Sequence, residues 1–372
     1  MSTRLRVAVD ANPLLGQRTG VGTYVAELLA ALAAMDDGPR VQASVIARAG
    51  AGQVRAGVPD GIPVHFVPLP ARVVRTAWSW TPTLAAFGEG VLGDVDVIHG
   101  TNYVVPPTRR RATVVTVHDL SYLRYPETVH RSSLSYRDHV ARAVRDGAVV
   151  CTVSRTVADE LRQAYPLPAE RLHVTPLGVH PAWFAARPDP DTGLRLGVPA
   201  DYHLTVATRE PRKNLAVLLD AYRLAAQRGI EVAPLVLAGG SGWGRDLDVS
   251  GIPDGQLVRL GFVRLDQLRA LVAGARQLLF PSLYEGFGLP PLEALACGVA
   301  VAASDIPVCR EVLGGAAVFV DPHDVEGWLQ TVQAPGDSST VQQRRAHAAR
   351  YTWGECARLT AAAYRHAAGA AA

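Results

Sequence analysis

The sequence is poor in several residue types that mark particular protein classes. Its four cysteines lie far apart and form no C-x-x-C pair, which argues against a zinc site and a disulfide framework. The formal charge of +3 is small and not concentrated as a nucleic-acid surface requires, so we expect no nucleic-acid partner. Lysine occurs once, at Lys213, although Lys and Arg together number 37. A coding bias toward arginine explains why lysine is rare, but it does not explain why the single lysine lies at position 213.

Long hydrophobic runs are also missing. No stretch of about twenty apolar residues is free of charge and proline, so the sequence predicts no transmembrane helix. Residues 1–10 run directly into a strand-like stretch without a signal peptide, which favours a cytoplasmic protein. Arginines crowd residues 124–145, and Trp78 and Trp80 lie near Arg72 and Arg75. These features suggest peripheral contact with the inner face of the membrane, although interspersed acidic residues favour an ordinary solvated surface.

Strand and helix patterns alternate twice along the 372 residues, which predicts an α/β fold with two domains, each built on a parallel sheet. The segment 176–199 holds five prolines and little periodicity, and we place the domain boundary there, at 178/179. The predicted domains are 1–178, 179–345 and a final helical segment, 346–372, that packs back on the first domain. The ligand should bind where the carboxyl ends of the strands meet a central cleft between two facing domains.

The sequence predicts the following strands and helices for the two domains. The strands are Leu5–Val9, Val41–Ala47, Val64–Val67, Val95–His99, Thr113–His118, Ala148–Val153, His203–Ala207, Pro234–Ala238, Leu257–Gly261, Gln277–Phe280, Val299–Ala303 and Ala317–Val320. The helices include Thr23–Met35, Ser132–Val144, Arg155–Tyr165, Leu215–Arg228, Leu265–Ala273, Pro291–Cys297 and Val341–Ala368.

The most informative motif spans residues 280–298. A strand ends near Phe280, a glycine-containing loop follows, Pro290–Pro291 opens a helix and Gly298 ends it. Backbone N–H groups at this helix N-terminus suit phosphate oxygens. The N–H groups of Gly288 and Leu289 are assigned to this anion site, and Gly286 and Phe287 are further donor-binding residues of the loop.

Two glutamates flank this anion site, with seven residues between them. Glu293, expected in the first helical turn, can accept hydrogen bonds from a ribose diol, and Glu285 would face a transferred sugar. The alternative is that Glu293 only complements the helix dipole and Glu285 is a solvated turn residue. We favour the functional interpretation because both glutamates border the same loop and proline-initiated helix.

Two further motifs follow strands in the first half. Gly20 and Gly22 precede a helix and permit close backbone approach to a ligand, although a plain turn explains a lone G-x-G as well. Val25 stands where a dinucleotide fingerprint needs its third glycine, which argues against a nicotinamide dehydrogenase. His118 ends an apolar strand, and a core histidine paired with Asp119 is the alternative there.

Three D-x-D patterns, Asp94–Asp96, Asp189–Asp191 and Asp246–Asp248, lack the strand-end setting of a metal–diphosphate site. The loop Gly239–Gly244, after a predicted strand, either lines a nucleotide pocket or forms an ordinary turn. We therefore expect no metal and no cofactor.

In combination, the motifs resemble the retaining glycosyltransferases of family 4, which have the two-domain GT-B fold. The resemblance covers nearly the whole chain. It rests on Thr19–Gly22, Val117–Leu120, Thr175–Val179, Glu210–Asn214 and the spacing of the two glutamates in 280–298. It implies an acceptor-binding N-terminal domain, a donor-binding C-terminal domain, metal-independent transfer and retention of configuration.

The resemblance also implies roles for single residues. An Arg and a Lys stabilise the departing diphosphate, and Lys213 aligns with that Lys. Many members carry the Arg five or six residues earlier, where this chain has Ala207 or Thr208, so the second charge is Arg212 or Arg209, and we favour Arg212. A donor-contacting histidine is implied at His118. The backbone segment implied to contact the base consists of Gly261, Phe262 and Val263.

The expected reaction is transfer of a hexosyl group from a nucleotide-sugar to a glycan, lipid-linked or small-molecule acceptor. The pattern is most similar to bacterial mannosyltransferases, so the expected donor is GDP-mannose, with UDP- and dTDP-sugars as alternatives. No enzymic nucleophile is evident, which favours attack by the acceptor on the face that the leaving group departs. The competing hypotheses are a nucleotide-sugar epimerase of the same fold and a non-catalytic nucleotide-sugar-binding protein.

Overall fold

A computed structural model describes residues 4–17, 19–70, 74, 92–109, 111–243, 246–334, 336 and 339–371. The predicted features at Arg72, Arg75, Trp78, Trp80 and Gly244 lie outside these residues. The chain divides into two compact units. The first unit comprises residues 1–122, 132–178 and 352–372, and the second comprises residues 123–131 and 179–351.

Within the described residues, the first unit contains a seven-stranded parallel sheet of order β3-β2-β1-β4-β5-β6-β7. The strands are β1 Arg6–Asp10, β2 Arg40–Ile46, β3 Val64–Val67, β4 Val97–Gly100, β5 Ala112–Val117, β6 Val149–Thr152 and β7 Leu172–Val174. The central strands are β-branched runs buried on both faces, as parallel sheets require. The three-residue strand β7 is not among the predicted strands, because it is too short to show a period.

Helices cover this sheet. They are α1 Gly20–Ala33, α2 Ala51–Gly57, α3 Ser121–Arg124 (whose last two residues are grouped with the second unit), α4 Tyr136–Arg145 and α5 Arg155–Ala164. The last helix of the chain, Trp353–Ala371, lies against α1 and β5. Helix α1 begins at Gly20, three residues before the predicted start, because the two glycines form its first turn. No helix in the described part of the chain has the length and apolar character needed to cross a membrane.

The second unit contains a six-stranded parallel sheet of order β10-β9-β8-β11-β12-β13 among its described residues. The strands are β8 His203–Val206, β9 Leu235–Ala238, β10 Leu257–Gly261, β11 Gln277–Phe280, β12 Ala300–Ser304 and β13 Val318–Val320. The helices are α6 Pro181–Phe184, α7 Pro190–Arg195, α8 Leu215–Arg228, α9 Leu265–Gly274, α10 Leu289–Cys297, α11 Pro307–Leu313, α12 Val325–Gln333 and α13 Val341–Ala348, so that Trp353–Ala371 is α14. The two parallel sheets confirm the predicted α/β class.

The end of the chain differs from its predicted form. The helical segment expected at Val341–Ala368 is two helices, α13 and α14, because the chain leaves the second unit between them. The sequence places this boundary at 345/346, whereas in the structure the second unit extends to Tyr351. The start of α14 packs closely against Gly178. A side chain at Gly178 would lie 2.2 Å from the backbone nitrogen of Trp353, so this approach requires glycine.

Candidate active site

Two loops at the carboxyl ends of β8 and β11 form the centre of the site in the second unit. Glu210 precedes Pro211, which restricts it to the extended region, and Pro211–Lys213 then forms a single 3₁₀ turn. Asn214 adopts a left-handed conformation, with φ of +53°, to start α8. Its side-chain amide donates to the carbonyls of Pro281, at 3.1 Å, and Pro322, at 2.8 Å, which offsets the backbone strain.

Two hydrogen bonds, one between backbone groups and one from a side chain, join the 3₁₀ turn to the loop after β11. The N–H of Leu283 donates to the Arg212 carbonyl at 2.8 Å, and Arg212 Nη1 donates to the Tyr284 carbonyl at 3.2 Å. Each loop therefore holds the other, and the two cations of the turn are fixed relative to Glu285.

Glu285 lies between these cations. Arg212 Nη1 donates to Oε2 at 3.0 Å, and Lys213 Nζ donates to Oε1 at 2.5 Å. The Ser282 hydroxyl also donates to Oε1, at 2.7 Å. The Glu285 side chain is 8% exposed and the two cations are each 14% exposed, so these are desolvated, charge-assisted interactions. The only lysine of the chain thus belongs to a buried triad of Arg212, Lys213 and Glu285.

The triad controls the ionisation of Glu285. Burial acts to raise the pKa of this carboxyl, but the charges of Lys213 and Arg212, with hydrogen bonds from Lys213 and Ser282, outweigh it and lower the pKa to about 2. Glu285 is therefore ionised throughout the physiological range. It is not the solvated turn residue of the alternative interpretation.

Helix α10 presents its N-terminus beside this loop. Gly288 is its N-cap, with φ of +94°, and Pro290 and Pro291 occupy its second and third positions. A helix leaves its first four N–H groups without intrahelical partners, and the two prolines have none. The donors that remain at this end are the N–H groups of Gly288 and Leu289, the pair that the sequence assigns to phosphate.

One detail of the predicted helix is wrong. Glu293 is the fifth residue of α10, in its second turn, because the helix begins at Leu289 rather than at the prolines. The carboxylate therefore does not complement the N-terminal dipole in the first turn. It is half-buried, and its charge acts on Cys297 one turn further along, where it contributes to a raised thiol pKa after the larger effect of burial.

The C-terminus of α10 is anchored by arginines that sequence reasoning misses. Gly298 ends the helix with φ of +87°, Arg344 Nη1 donates to its carbonyl at 3.0 Å, and Arg345 Nη2 donates to the Cys297 carbonyl at 3.2 Å. Arg344 is 6% exposed. The available signal is an arginine pair in a helical segment, which alone does not indicate its target.

Arg209 lies apart from the triad. Its Nη1 donates to Asp246 at 2.9 Å, and its backbone N–H donates to the Gly240 carbonyl. Arg212, in contrast, shares a carboxylate with Lys213. Of the two arginines considered for the diphosphate, the structure groups Arg212 with Lys213.

The segment expected to contact the base follows β10. Gly261 has φ of +67°, and its carbonyl accepts the N–H of Gly239 at 2.7 Å, which aligns the loops after β9 and β10. Phe262 is 54% exposed, whereas Val263 is buried. A side chain at Gly239 would lie 2.0 Å from the Ala207 carbonyl, so that glycine is required for close approach of two backbones.

In the first unit, His118 is half-buried after β5. Its Nε2 donates to the Thr101 carbonyl at 2.8 Å, and its ring packs edge-on against Tyr24 at 5.0 Å. Because a carbonyl only accepts, Nε2 carries the proton and Nδ1 of the neutral ring is an acceptor. Burial lowers the pKa of His118. Asp119 accepts instead from the N–H and hydroxyl of Ser121, so the proposed core pair with Asp119 is not formed.

Gly20 and Gly22 occupy the first turn of α1. Thr19, the N-cap, makes no side-chain capping bond, so the N–H groups of residues 20–22 have no partner within the helix or its cap. Gly20 is exposed and Gly22 is buried.

The D-x-D patterns serve other contacts. Asp94 and Asp96 bind Arg6, Asp189 accepts from Thr192 at 2.5 Å, and Asp246 binds Arg209. In the described part of the chain, no group of three His, Cys, Asp or Glu residues is arranged to hold a metal ion.

Comparison with known proteins places this geometry in a family. The model described as "Glycosyltransferase Family 4" matches residues 18–183, and "Glycosyl transferases group 1" matches residues 201–334. The O-antigen chain mannosyltransferase B of Escherichia coli is 33% identical over 282 residues, covering 72% of this chain and 74% of that protein.

Solved structures agree on the fold. Sucrose-phosphate synthase from Thermosynechococcus elongatus superposes with a TM-score of 0.73 at 18% identity, covering 97% of this chain and 98% of that one. Anabaena HepE in complex with UDP-glucose superposes with a TM-score of 0.69 at 17% identity, covering 96% and 98%. The predicted GT-B fold is thereby confirmed. The chain belongs to the family with these two domains, glycosyltransferase family 4 and glycosyl transferases group 1, and is a glycosyltransferase.

Proposed function

We propose that this glycosyltransferase transfers a mannosyl group from GDP-mannose to a glycan or lipid-linked acceptor, without a metal and with retention of configuration. The observation that carries the proposal is the triad beside the α10 N-terminus. Two cations, paired here with Glu285 and Glu210, and the N–H groups of Gly288 and Leu289 are donors of the kind that bind a nucleoside diphosphate.

Diphosphate oxygens would draw Arg212 and Lys213 away from Glu285. As the bond between the anomeric carbon and the diphosphate oxygen breaks, the electron pair stays on that oxygen, and the two cations stabilise it. The acceptor hydroxyl attacks the anomeric carbon from the same face and gives its proton to the leaving diphosphate. Glu285, ionised and held by Ser282, then remains to accept hydrogen bonds from the sugar hydroxyls.

Other predicted residues have supporting roles. Glu293, in the second turn of α10, would hold the ribose diol. His118 would accept a hydrogen bond from a donor hydroxyl at Nδ1, because Nε2 is committed to Thr101. Gly20 and Gly22 would allow the first turn of α1 to approach the donor closely.

Mannose is favoured by the Escherichia coli relative, which is a mannosyltransferase, and by the similarity of the motifs. UDP-glucose is the ligand of the Anabaena structure, but at 17% identity the similarity supports only a shared fold and not a shared donor. For location, we propose the cytoplasmic face of the membrane, because the segment 124–145 is rich in arginine, which anionic lipid attracts.

The test is release of nucleoside diphosphate from GDP-, UDP-, ADP- and dTDP-sugars in EDTA, comparing wild type with Lys213→Ala. Loss of one cation that stabilises the leaving group should lower turnover about 100- to 1,000-fold. Lys213→Arg is the matched control, since it keeps the charge and should retain more activity. Requirement for an added metal, or unchanged turnover in Lys213→Ala, would refute the proposed mechanism.

The rival functions give different results in the same assay. An epimerase would rearrange the sugar without releasing nucleoside diphosphate, and a non-catalytic binder would retain the donor unchanged. Acceptor-dependent release distinguishes the transferase from both.

A further inference from the structure

The segment Leu123–Arg131, here called the strap, packs with the second unit although the chain on both sides of it belongs to the first. It begins five residues after His118. Its centre is a 3₁₀ turn, Pro126–Thr128, closed by the hydroxyl and the N–H of Thr128, which both donate to the Tyr125 carbonyl. The turn makes the strap a defined local structure.

Two contacts hold the strap on the second unit. The ring of Tyr125 packs on the ring of Tyr284, with centroids 5.4 Å apart. The indole N–H of Trp243 donates to the Thr128 carbonyl at 2.9 Å, and the Trp243 ring packs edge-on against His130 at 6.2 Å. Trp243 is 45% exposed, an unusual position for tryptophan that this hydrogen bond explains.

The first contact leads directly to the triad. Tyr284 precedes Glu285, and its carbonyl accepts the same Arg212 nitrogen, Nη1, that binds Glu285 Oε2. A shift of Tyr284 would therefore move the carbonyl that orients Arg212 and the carboxylate that holds Lys213. Tyr125 covers the Tyr284 ring, and Trp243 fixes the strap that carries Tyr125.

We propose that Tyr125 and Trp243 are positioning residues that set the geometry of Arg212, Lys213 and Glu285 through the strap. The expected effect of these two residues on turnover rests on the proposed function, because a change in triad geometry lowers turnover only if the triad binds the donor diphosphate. The effect on the triad itself is independent of any substrate.

Lys213 provides a direct measurement of triad geometry, because it carries the only lysine amine of the chain. The rate at which acetic anhydride modifies Lys213 is followed by peptide mass spectrometry at temperatures well below unfolding. The α-amino group of the purified protein serves as the internal reference. An amine held on Glu285 reacts slowly, and a released amine reacts faster.

Three variants separate the contributions. Tyr125→Ala removes the ring and should accelerate modification of Lys213 roughly two- to tenfold, the value of one aromatic pair. Tyr125→Phe keeps the ring and should behave as wild type. Trp243→Phe removes one hydrogen bond while keeping a ring, and should give an increase of about fivefold or less. It also tests the proposal should Tyr125→Ala fail to fold.

Turnover is measured on the same variants. Faster modification with a lower kcat in Tyr125→Ala, rescued by Tyr125→Phe, supports the strap. Unchanged modification of Lys213 in both Tyr125→Ala and Trp243→Phe would overturn it, even if turnover fell. If modification accelerates while wild type releases no nucleoside diphosphate from any donor, the strap inference stands and the proposed function fails.

Discussion

A glycine stands at the start of both α1 and α10, as the first residue of α1 and as the N-cap of α10, but for different reasons. Gly288 has φ of +94°, a conformation that residues with side chains rarely adopt, so the backbone itself requires glycine. Gly20 is the first residue of α1 and has no atom within 4 Å of the position that a Cβ would occupy. The fold explains Gly288 and leaves Gly20 unexplained, which is the stronger reason to connect Gly20 with a ligand.

The candidate site residues of the two units also differ in how their polar groups are paired. In the second unit, Arg212, Lys213 and Glu285 satisfy one another in a buried triad. In the first, His118 is neutral and makes one hydrogen bond to a backbone carbonyl. Substitutions in the triad should therefore alter both stability and binding, whereas substitutions around His118 should alter turnover with little change in stability.

After Lys213→Ala, the substitution Glu285→Gln should show the largest effect. It leaves Lys213 without its carboxylate partner and Arg212 paired only with Glu210, whose Oε2 lies 3.1 Å from Nε, so nucleoside diphosphate should bind more tightly, by roughly tenfold, because it no longer displaces Glu285. Turnover should fall about 100-fold, because the sugar loses its contact with the carboxylate. Isothermal titration with GDP and UDP, beside steady-state kinetics, measures the two effects.

Tighter diphosphate binding together with lower turnover is the result that identifies competition between Glu285 and the diphosphate. Ser282→Ala, which removes one hydrogen bond to Glu285 but no charge, is the matched control and should change binding much less. Weaker diphosphate binding in Glu285→Gln would contradict the competition between Glu285 and the donor.

The triad should also make the protein sensitive to acid. The pKa of Glu285 is lowered from 4.5 to about 2 in the folded protein, so its stabilisation is fully present above pH 4.5 and is lost as the pH falls toward 2. Such a shift corresponds to about 3 kcal/mol. The free energy of unfolding of wild type should exceed that of Glu285→Gln at pH 6, and the difference should shrink between pH 4.5 and 3. Urea unfolding of both proteins across this range measures it, and a difference independent of pH would argue against the triad.

His118→Gln should have a smaller effect, confined to turnover. The amide can still donate to the Thr101 carbonyl, but the acceptor at Nδ1 is lost, so kcat/KM should fall about tenfold, the value of roughly one hydrogen bond to a substrate. Since burial lowers the pKa of His118, the ring stays neutral above pH 6.5, and this group should add no ionisation to the pH profile between 6.5 and 8. A step in the wild-type profile there that disappears in His118→Gln would show that the histidine titrates.

The sequence predicts the architecture because alternating β-branched runs and amphipathic helices are local signals. It also predicts the loop before α10 and the end of that helix at Gly298, because glycine and proline determine backbone conformation directly. It does not predict that Lys213 binds Glu285, 72 residues away, since pairing at that distance depends on how β8 and β11 align. The strap is beyond prediction for the same reason. Nothing in residues 123–131 indicates that they pack with residues found more than a hundred positions later.

A matched pair of glycine substitutions tests the comparison between the two helices with the smallest expected effects. Gly288→Ala forces a side chain into a left-handed conformation and should cost about 1–2 kcal/mol of unfolding free energy. Gly20→Ala meets neither strain nor crowding and should leave stability unchanged or raise it by about 0.4–1 kcal/mol, because alanine restricts the unfolded chain. If the first turn of α1 approaches the donor, Gly20→Ala should nevertheless raise KM for the donor several-fold. A stable Gly20→Ala protein with wild-type KM and kcat would show that the glycine serves no ligand, and would leave His118 as the remaining donor-binding candidate in the first unit.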